Sequence, residues 1–282
     1  MSRYAVSRAI ESLDPVTDHQ KIVYLVGAYE FPFETQRSLE LALFRTFAVP
    51  SISALTDTTG EFARAGQKRY DDTALIVAEI AENGYDSERG RAAIRRMNQM
   101  HRRYSIPNDE FLYVLSTFVF EPIRWNALLA WRESTRTEKL ANFYFWREVG
   151  RRMGIKGIPE TYEAFEAFNR DYERKHFRYA DSNRRVAEST VRVFLGWFPP
   201  ILHPIVRRAI YALLDDPLRE AFGFPKQPAW FVTALKKLLR LRAHLVKLLP
   251  PRRTPYLYTR LRNPTYPHGY RIDELGPADT TR

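Results

Sequence analysis

Apolar residues in this chain return at every third or fourth position from about residue 17 to residue 249, and strict alternation is almost absent. A period near 3.6 puts a stripe on one face of a helix, whereas a half-buried strand needs a period of 2. The pattern therefore predicts an all-α protein. Helices are expected over 17–30, 34–48, 60–83, 86–104, 108–131, 135–153, 159–175, 181–197, 204–214 and 228–249. Their ends carry matching punctuation: Gly84 suits a C-cap, Asp86 or Ser87 an N-cap, and Pro107 with "NDE" opens the next helix. Inside "FLYVLSTFVFEPIRWNALLAW", Pro122 lacks an N–H and crowds the preceding turn, so a kink or a split is expected there.

Hydrophobic residues make up 45% and aromatic residues 14% of the 282, enough for a sizeable core. No Gly/Ser-rich linker and no repeat divides the chain, so residues 1–249 read as one helical domain. Residues 250–282, rich in proline and tyrosine, read as an extended arm laid over it or partly disordered.

Cysteine is absent, which removes disulfides, thiolate metal sites and a cysteine nucleophile together. Any metal or haem would have to use His, Tyr, Lys, Met or carboxylates. No HExxH, GxGxxG, GxxxxGK[ST] or GxSxG is present, so non-haem zinc, nucleotide and hydrolase readings have no motif. The N-terminus has no apolar h-region and no stretch approaches eighteen apolar residues, from which a cytoplasmic location is expected. The formal charge of +11 is read as dispersed among many helices and interleaved with 33 acidic residues, and no nucleic-acid partner is expected.

One stretch raises a chemical question. In "NQMHRRYSI" and the residues before it, Ile94, Met97, His101 and Tyr104 fall on one helical face, bordered by Arg95, Arg96, Arg102 and Arg103. An imidazole in an apolar row edged by cations could be a core histidine with one hydrogen bond, or a ligand to iron in an anionic planar cofactor. On the preceding helix Arg69 and Thr73 are four apart and share a face. The apolar helix 108–131 could wall a pocket through Phe111, Val114, Leu115 and Phe118. His176 reads as a helix-end residue, and His203, in a proline-rich turn, as local or as a second axial ligand.

The segments "RYDDT" and "AAIRRMNQMHRRYSIPNDEFLYVLSTFVFEPIRW" resemble the family that joins the fungal endoplasmic-reticulum oxygenase MpaB to bacterial latex-clearing rubber oxygenases, also catalogued as DUF2236. The resemblance runs from about residue 40 to about 245. It implies a globin-like helical core holding a b-type haem, with His101 as the proximal ligand and Arg69 and Thr73 near the haem; Met97 and Phe118 are further candidates for its pocket. It also implies oxidative cleavage of a carbon–carbon double bond in an apolar, unsaturated or isoprenoid-type substrate, with dioxygen as co-substrate.

Rubber oxygenases carry a lysine just before the threonine and an acid upstream. Here that position is Asp72, and Glu61 is a loose candidate for the acid. Either could be a distal base, and their mismatch leaves open a non-catalytic haem- or lipid-binding protein. Finally, "AWFVTALKKLLRLRAHLVKLLPPRR" sets Leu235, Leu238, Leu239, Leu245 and Leu248 among Lys236, Lys237, Arg240, Arg242 and Lys247. A packed terminal helix is the reading favoured from sequence, with peripheral contact between 228–249 and an anionic membrane as the alternative.

Overall fold

A computed structural model describes residues 2–277. Among the described residues the chain is all-α, with thirteen α-helices and no strand. They are α1 (Ala5–Glu11), α2 (His19–Leu25), α3 (Pro32–Thr46), α4 (Pro50–Thr59), α5 (Glu61–Asn83), α6 (Glu88–His101) and α7 (Asn108–Leu129). Then follow α8 (Arg136–Arg152), α9 (Tyr162–His176), α10 (Asp181–Leu195), α11 (His203–Leu213), α12 (Asp216–Ala221) and α13 (Ala229–Leu248).

Three of these, α1, α4 and α12, lie outside the expected helices. Each is short, and α4, "PSISALTDTT", offers only two aliphatic side chains of any size, Ile52 and Leu55, to a periodicity count. The stretch expected as one helix over 17–30 is α2 followed by a single π-helical turn, Val26–Glu30. The helix expected over 86–104 stops at His101, so Tyr104 lies past its end and is exposed. At the α4–α5 corner Gly60 takes φ 67, a left-handed conformation that suits a residue without Cβ.

Pro122 does not split its helix. α7 runs through it from Asn108 to Leu129, and the carbonyl of Phe118, which an N–H at 122 would have engaged, accepts from Asn142 Nδ2 on α8 at 3.3 Å. The same amide donates to Val119 O at 2.9 Å. A neighbouring side chain thus replaces the bond that proline removes.

α3 lies along α7, α5 along α6 and α2 along α8, while α10 packs on α4 and α5. The main core joins α5, α6, α7, α8 and α9 through Leu75, Ile80, Ile94, Leu115, Phe143 and Phe165. A second cluster joins α3 and the start of α5 to α10, α11 and α12 through Phe44, Phe62, Val191, Tyr211 and Phe222. Between them the buried Arg45 pairs with Glu173 at 2.6 Å and Asp215 at 2.5 Å, with Glu121 at 3.5 Å. That cation is affordable in the interior because its donors are occupied by carboxylates.

The arm is ordered as far as residue 277, while its last residues, 278–282, lie outside the described residues. Two 3₁₀ turns, Tyr258–Arg260 and Ile272–Glu274, punctuate it, and Leu275 is fully buried in the main core. Carboxylates of α5, three buried and one half-buried, hold it: Asp71 accepts from Thr265, Asp72 from Tyr266 Oη at 2.5 Å, Glu79 from Tyr270 Oη at 2.6 Å and the half-buried Glu82 from Thr259 Oγ1 at 2.6 Å. Gly276, at φ 98, closes on Met100 so tightly that a Cβ would overlap the sulfur.

Candidate functional site

The turn over 84–87 folds α6 back on α5, which brings the C-terminal residue of α6, His101, towards Arg69. His101 is half-buried, and Phe111 from α7 meets its ring edge-on at 5.2 Å. Its Nδ1 is buried with no hydrogen-bond partner. Burial, and secondly the positive charge of Arg69, push its pKa down to about 4. Near neutral pH it is therefore an uncharged imidazole, the form that binds metals.

Arg69 and Thr73 meet as their spacing predicts: the guanidinium donates to Thr73 Oγ1, and that hydroxyl donates to Arg69 O at 3.0 Å. Burial lowers the Arg69 pKa, with Asp72 and Glu61 opposing. The pair stands ready-made beside His101, with Phe62 under the guanidinium at 5.7 Å.

Other expected site residues lie elsewhere. Asp72 is buried, and its carboxylate is taken by Lys68 Nζ at 2.8 Å and Tyr266 Oη at 2.5 Å. Glu61 pairs with Arg64 at 2.5 Å at the start of α5. Met97 packs against the main core, and Leu115 is buried within it. Arg96 donates from Nε to the carbonyl of Leu275 at 2.7 Å, so one of the flanking arginines serves the arm. His176 stacks on Tyr172 at 4.1 Å, and His203 bonds Phe198 O at 3.0 Å, both local roles. His19, not singled out from sequence, is buried and satisfied by Val16 O and Tyr85 Oη.

An apolar cavity enclosing about 870 Å³ of empty space, part of it open to solvent, runs along the other flank of Thr73. One stripe of α5, Thr73, Ala74, Val77, Ala78 and Ala81, forms its floor. Phe118 is the one member of the expected α7 lining that reaches it; Phe111 instead faces His101, and neither Val114 nor Leu115 contributes. The side walls come from α2, α3 and the arm residues Tyr256 and Tyr258.

Within that largely apolar wall sits a polar cluster that sequence reasoning missed. Glu40 accepts from Tyr70 Oη at 2.5 Å and Arg37 Nη2 at 2.6 Å, and burial pushes its carboxyl up to about 7. The available signal was the mixed stripe Gln36, Leu39, Glu40 and Leu43 on the helix expected over 34–48.

The donor chemistry fits a haem. Among the described residues no three or more His, Asp or Glu side chains group as a metal site, so His101 would be a lone nitrogen donor. A lone imidazole suits an iron whose in-plane ligands come from a macrocycle. The buried ring nitrogen without a partner could take such a ligand, and Arg69 would offer a cation to a propionate.

Residues 39–247 match the family described as ER-bound oxygenase mpaB/B′/Rubber oxygenase, catalytic domain. The chain belongs to this family. It is 30% identical to the ER-bound oxygenase mpaB′ of Penicillium brevicompactum over 263 residues, 86% of this chain and 62% of that protein. The ER-bound oxygenase mpaB of Penicillium roqueforti is likewise 30% identical, over 75% of this chain and 78% of its own length. A third relative, the ER-bound oxygenase mpaB of Penicillium brevicompactum, is 29% identical over 66% of this chain and 53% of its own. This chain thus spans somewhat more than half to about three quarters of these relatives. The mpaB/rubber oxygenase match takes in every candidate residue above, from Glu40 to His101 and Phe118. It also corrects the cytoplasmic expectation: the relatives' names place all three at the endoplasmic reticulum.

Proposed function

We propose that the protein is a haem b-dependent oxygenase of the MpaB type, working at a membrane on an apolar, unsaturated or isoprenoid-type substrate. The observation that carries the reading is His101: a neutral imidazole with an unpartnered buried nitrogen, next to Arg69 and one helical turn of α5 from an apolar cavity. In this reading His101 holds the iron and Arg69 pairs with a propionate, steadied by Thr73. The haem, when bound, supplies the redox centre for reaction with dioxygen.

The chain's own residues then do the rest. The stripe Thr73, Ala74, Val77 and Ala78 with Phe118 takes the apolar substrate and keeps water from it. Cleavage of C=C by O₂ to two C=O groups places both oxygen atoms in products, so it balances without an external reductant. Asp72, saturated by Lys68 and Tyr266, has a structural part in this reading rather than that of a base. That same saturation favours the second reading, a haem- or lipid-binding protein without turnover.

Haem-reconstituted protein under air, given an isoprenoid alkene, is expected to consume oxygen and yield carbonyl products, with Phe118→Trp reducing turnover by narrowing the cavity. Haem binding without oxygen uptake on any alkene would favour the non-catalytic reading.

A further inference from the structure

The sequence reading of α13 as a packed terminal helix with a cationic outer face holds for its inner face only. Only Ala243 among its twenty residues is buried, with Phe231, Leu235, Leu239 and Val246 half-buried towards α7 and α11. A second stripe faces outward. Trp230, Ala234, Leu238, Leu241, Leu245 and Leu248 recur at intervals of four, four, three, four and three, which is one face of a helix. Their exposures are large for such residues: 68% for Trp230, 63% for Leu238, 56% for Leu241, 55% for Leu245 and 71% for Leu248. In the 3₁₀ turn before α11, which packs on α13, Ile201 is 86% exposed.

The charge distribution says what such a face could meet. Residues 221–272 contain eleven Lys and Arg and no Asp or Glu, whereas the rest of the chain holds 33 basic and 33 acidic residues. The entire formal charge of +11 therefore resides in this segment and is not dispersed. On α13, Lys236, Lys237 and Lys247 are exposed and pair with no carboxylate among the described residues; on a helical wheel Lys237 borders the apolar stripe, and Lys247 and Lys236 lie farther round the helix on that same side. Among the described residues no single helix is long and apolar enough to cross a membrane.

We propose that α13 is a membrane-docking helix that lies in the plane of an anionic bilayer surface, its outer leucines and Trp230 entering the acyl boundary and its lysines reaching lipid phosphates and carboxylates. An apolar face edged by cations has the form of an interfacial helix, and snorkelling lysines keep their charge in the headgroup layer. An acidic protein partner would match the charge but not the continuous unpaired apolar stripe. The proposal rests only on that part of the reading above that sets the protein at a membrane; it is independent of haem and of turnover.

The test is flotation of the full chain with vesicles of phosphatidylcholine alone or mixed with phosphatidylserine, with Trp fluorescence and light scattering in parallel. Wild type is expected to float with the anionic vesicles only, with blue-shifted emission that Trp230→Phe removes. The variant Leu238→Ser/Leu241→Ser/Leu245→Ser/Leu248→Ser should weaken binding at least tenfold while its circular dichroism and Tm stay as in wild type. Each of Lys236→Gln, Lys237→Gln and Lys247→Gln should weaken it about fivefold at low salt. No flotation of wild type, or equal flotation of the four-serine variant, overturns the proposal. So does a dimer in solution that the four-serine variant dissolves without any vesicle binding, since the face would then be a contact between two copies. Loss of oxygenase activity with flotation intact would count against the functional reading alone.

Discussion

The arm over 250–277 and helix α13 lie next to each other in sequence and invert what their compositions lead one to expect. The arm has little regular structure, yet it is stapled to α5 by four carboxylates, three of them buried, and drives Leu275 into the main core. α13 is a regular twenty-residue helix with five outward leucines or tryptophan, yet it buries almost nothing. Regularity and burial are separate properties: a helix satisfies its own backbone bonds wherever it lies, whereas an irregular segment must find partners elsewhere. The arm found them in the acidic residues of α5; α13 keeps its outer face for something outside the chain.

The contrast can be broken most forcefully at Leu275. Replacing it by Ala should cost about 3 kcal/mol, read as a lower Cm at unchanged m in urea, because a fully buried leucine leaves a cavity. An unchanged Cm would mean the arm is a passive cover.

Asp72→Ala comes next. Stripping the partner from Lys68 and Tyr266 should cost about 2 kcal/mol, while turnover per folded, haem-loaded molecule is retained. Collapse of turnover with stability intact would make Asp72 a base after all and remove it from the arm's staples.

A comparable effect, confined to acid pH, sharpens the line between arm and site on α6, which serves both through Met100 and His101. The folded pKa of His101 lies near 4, below the ordinary value of 6.5. Its contribution to stability is thus present above about 6.5 and is lost as pH falls through about 4, since the unfolded chain takes the proton first. In haem-free protein, Tm should fall less between pH 7 and 4 for His101→Phe than for wild type; parallel curves would mean the imidazole is not held neutral.

Smallest of all is the effect of serine at Leu238, Leu241, Leu245 and Leu248. Each change should move Tm in aqueous buffer by less than about 1 °C, because these side chains give up no buried contact. A marked drop would show that α13 packs more than its exposure indicates.

How much of this was legible in the sequence depends on where each residue's partner lies. Arg69 and Thr73 were readable because a helix brings positions four apart together. The imidazole of His101 was readable as apolar in setting, but its orphaned nitrogen was not, and Tyr104 was misassigned because the helix stops at His101. Asp72 looked like a catalytic candidate because its true partner, Tyr266, is 194 residues away. The effect of Pro122 depended on Asn142, one helix later, and the cavity on α2, α3 and the arm, which no single segment foretells. On α13 the stripe was visible in the spelling, but whether protein or something else covers it is decided by tertiary packing.

Whether His101 holds haem iron is read most plainly from the absorption spectrum of haem-reconstituted wild type beside His101→Ala and His203→Ala, with circular dichroism to verify folding. With His101 on the iron, a Soret band is expected in wild type and in His203→Ala, and its loss or marked shift in a folded His101→Ala. A wild-type spectrum no different from free haem, or an unaltered band in His101→Ala, would contradict that ligation.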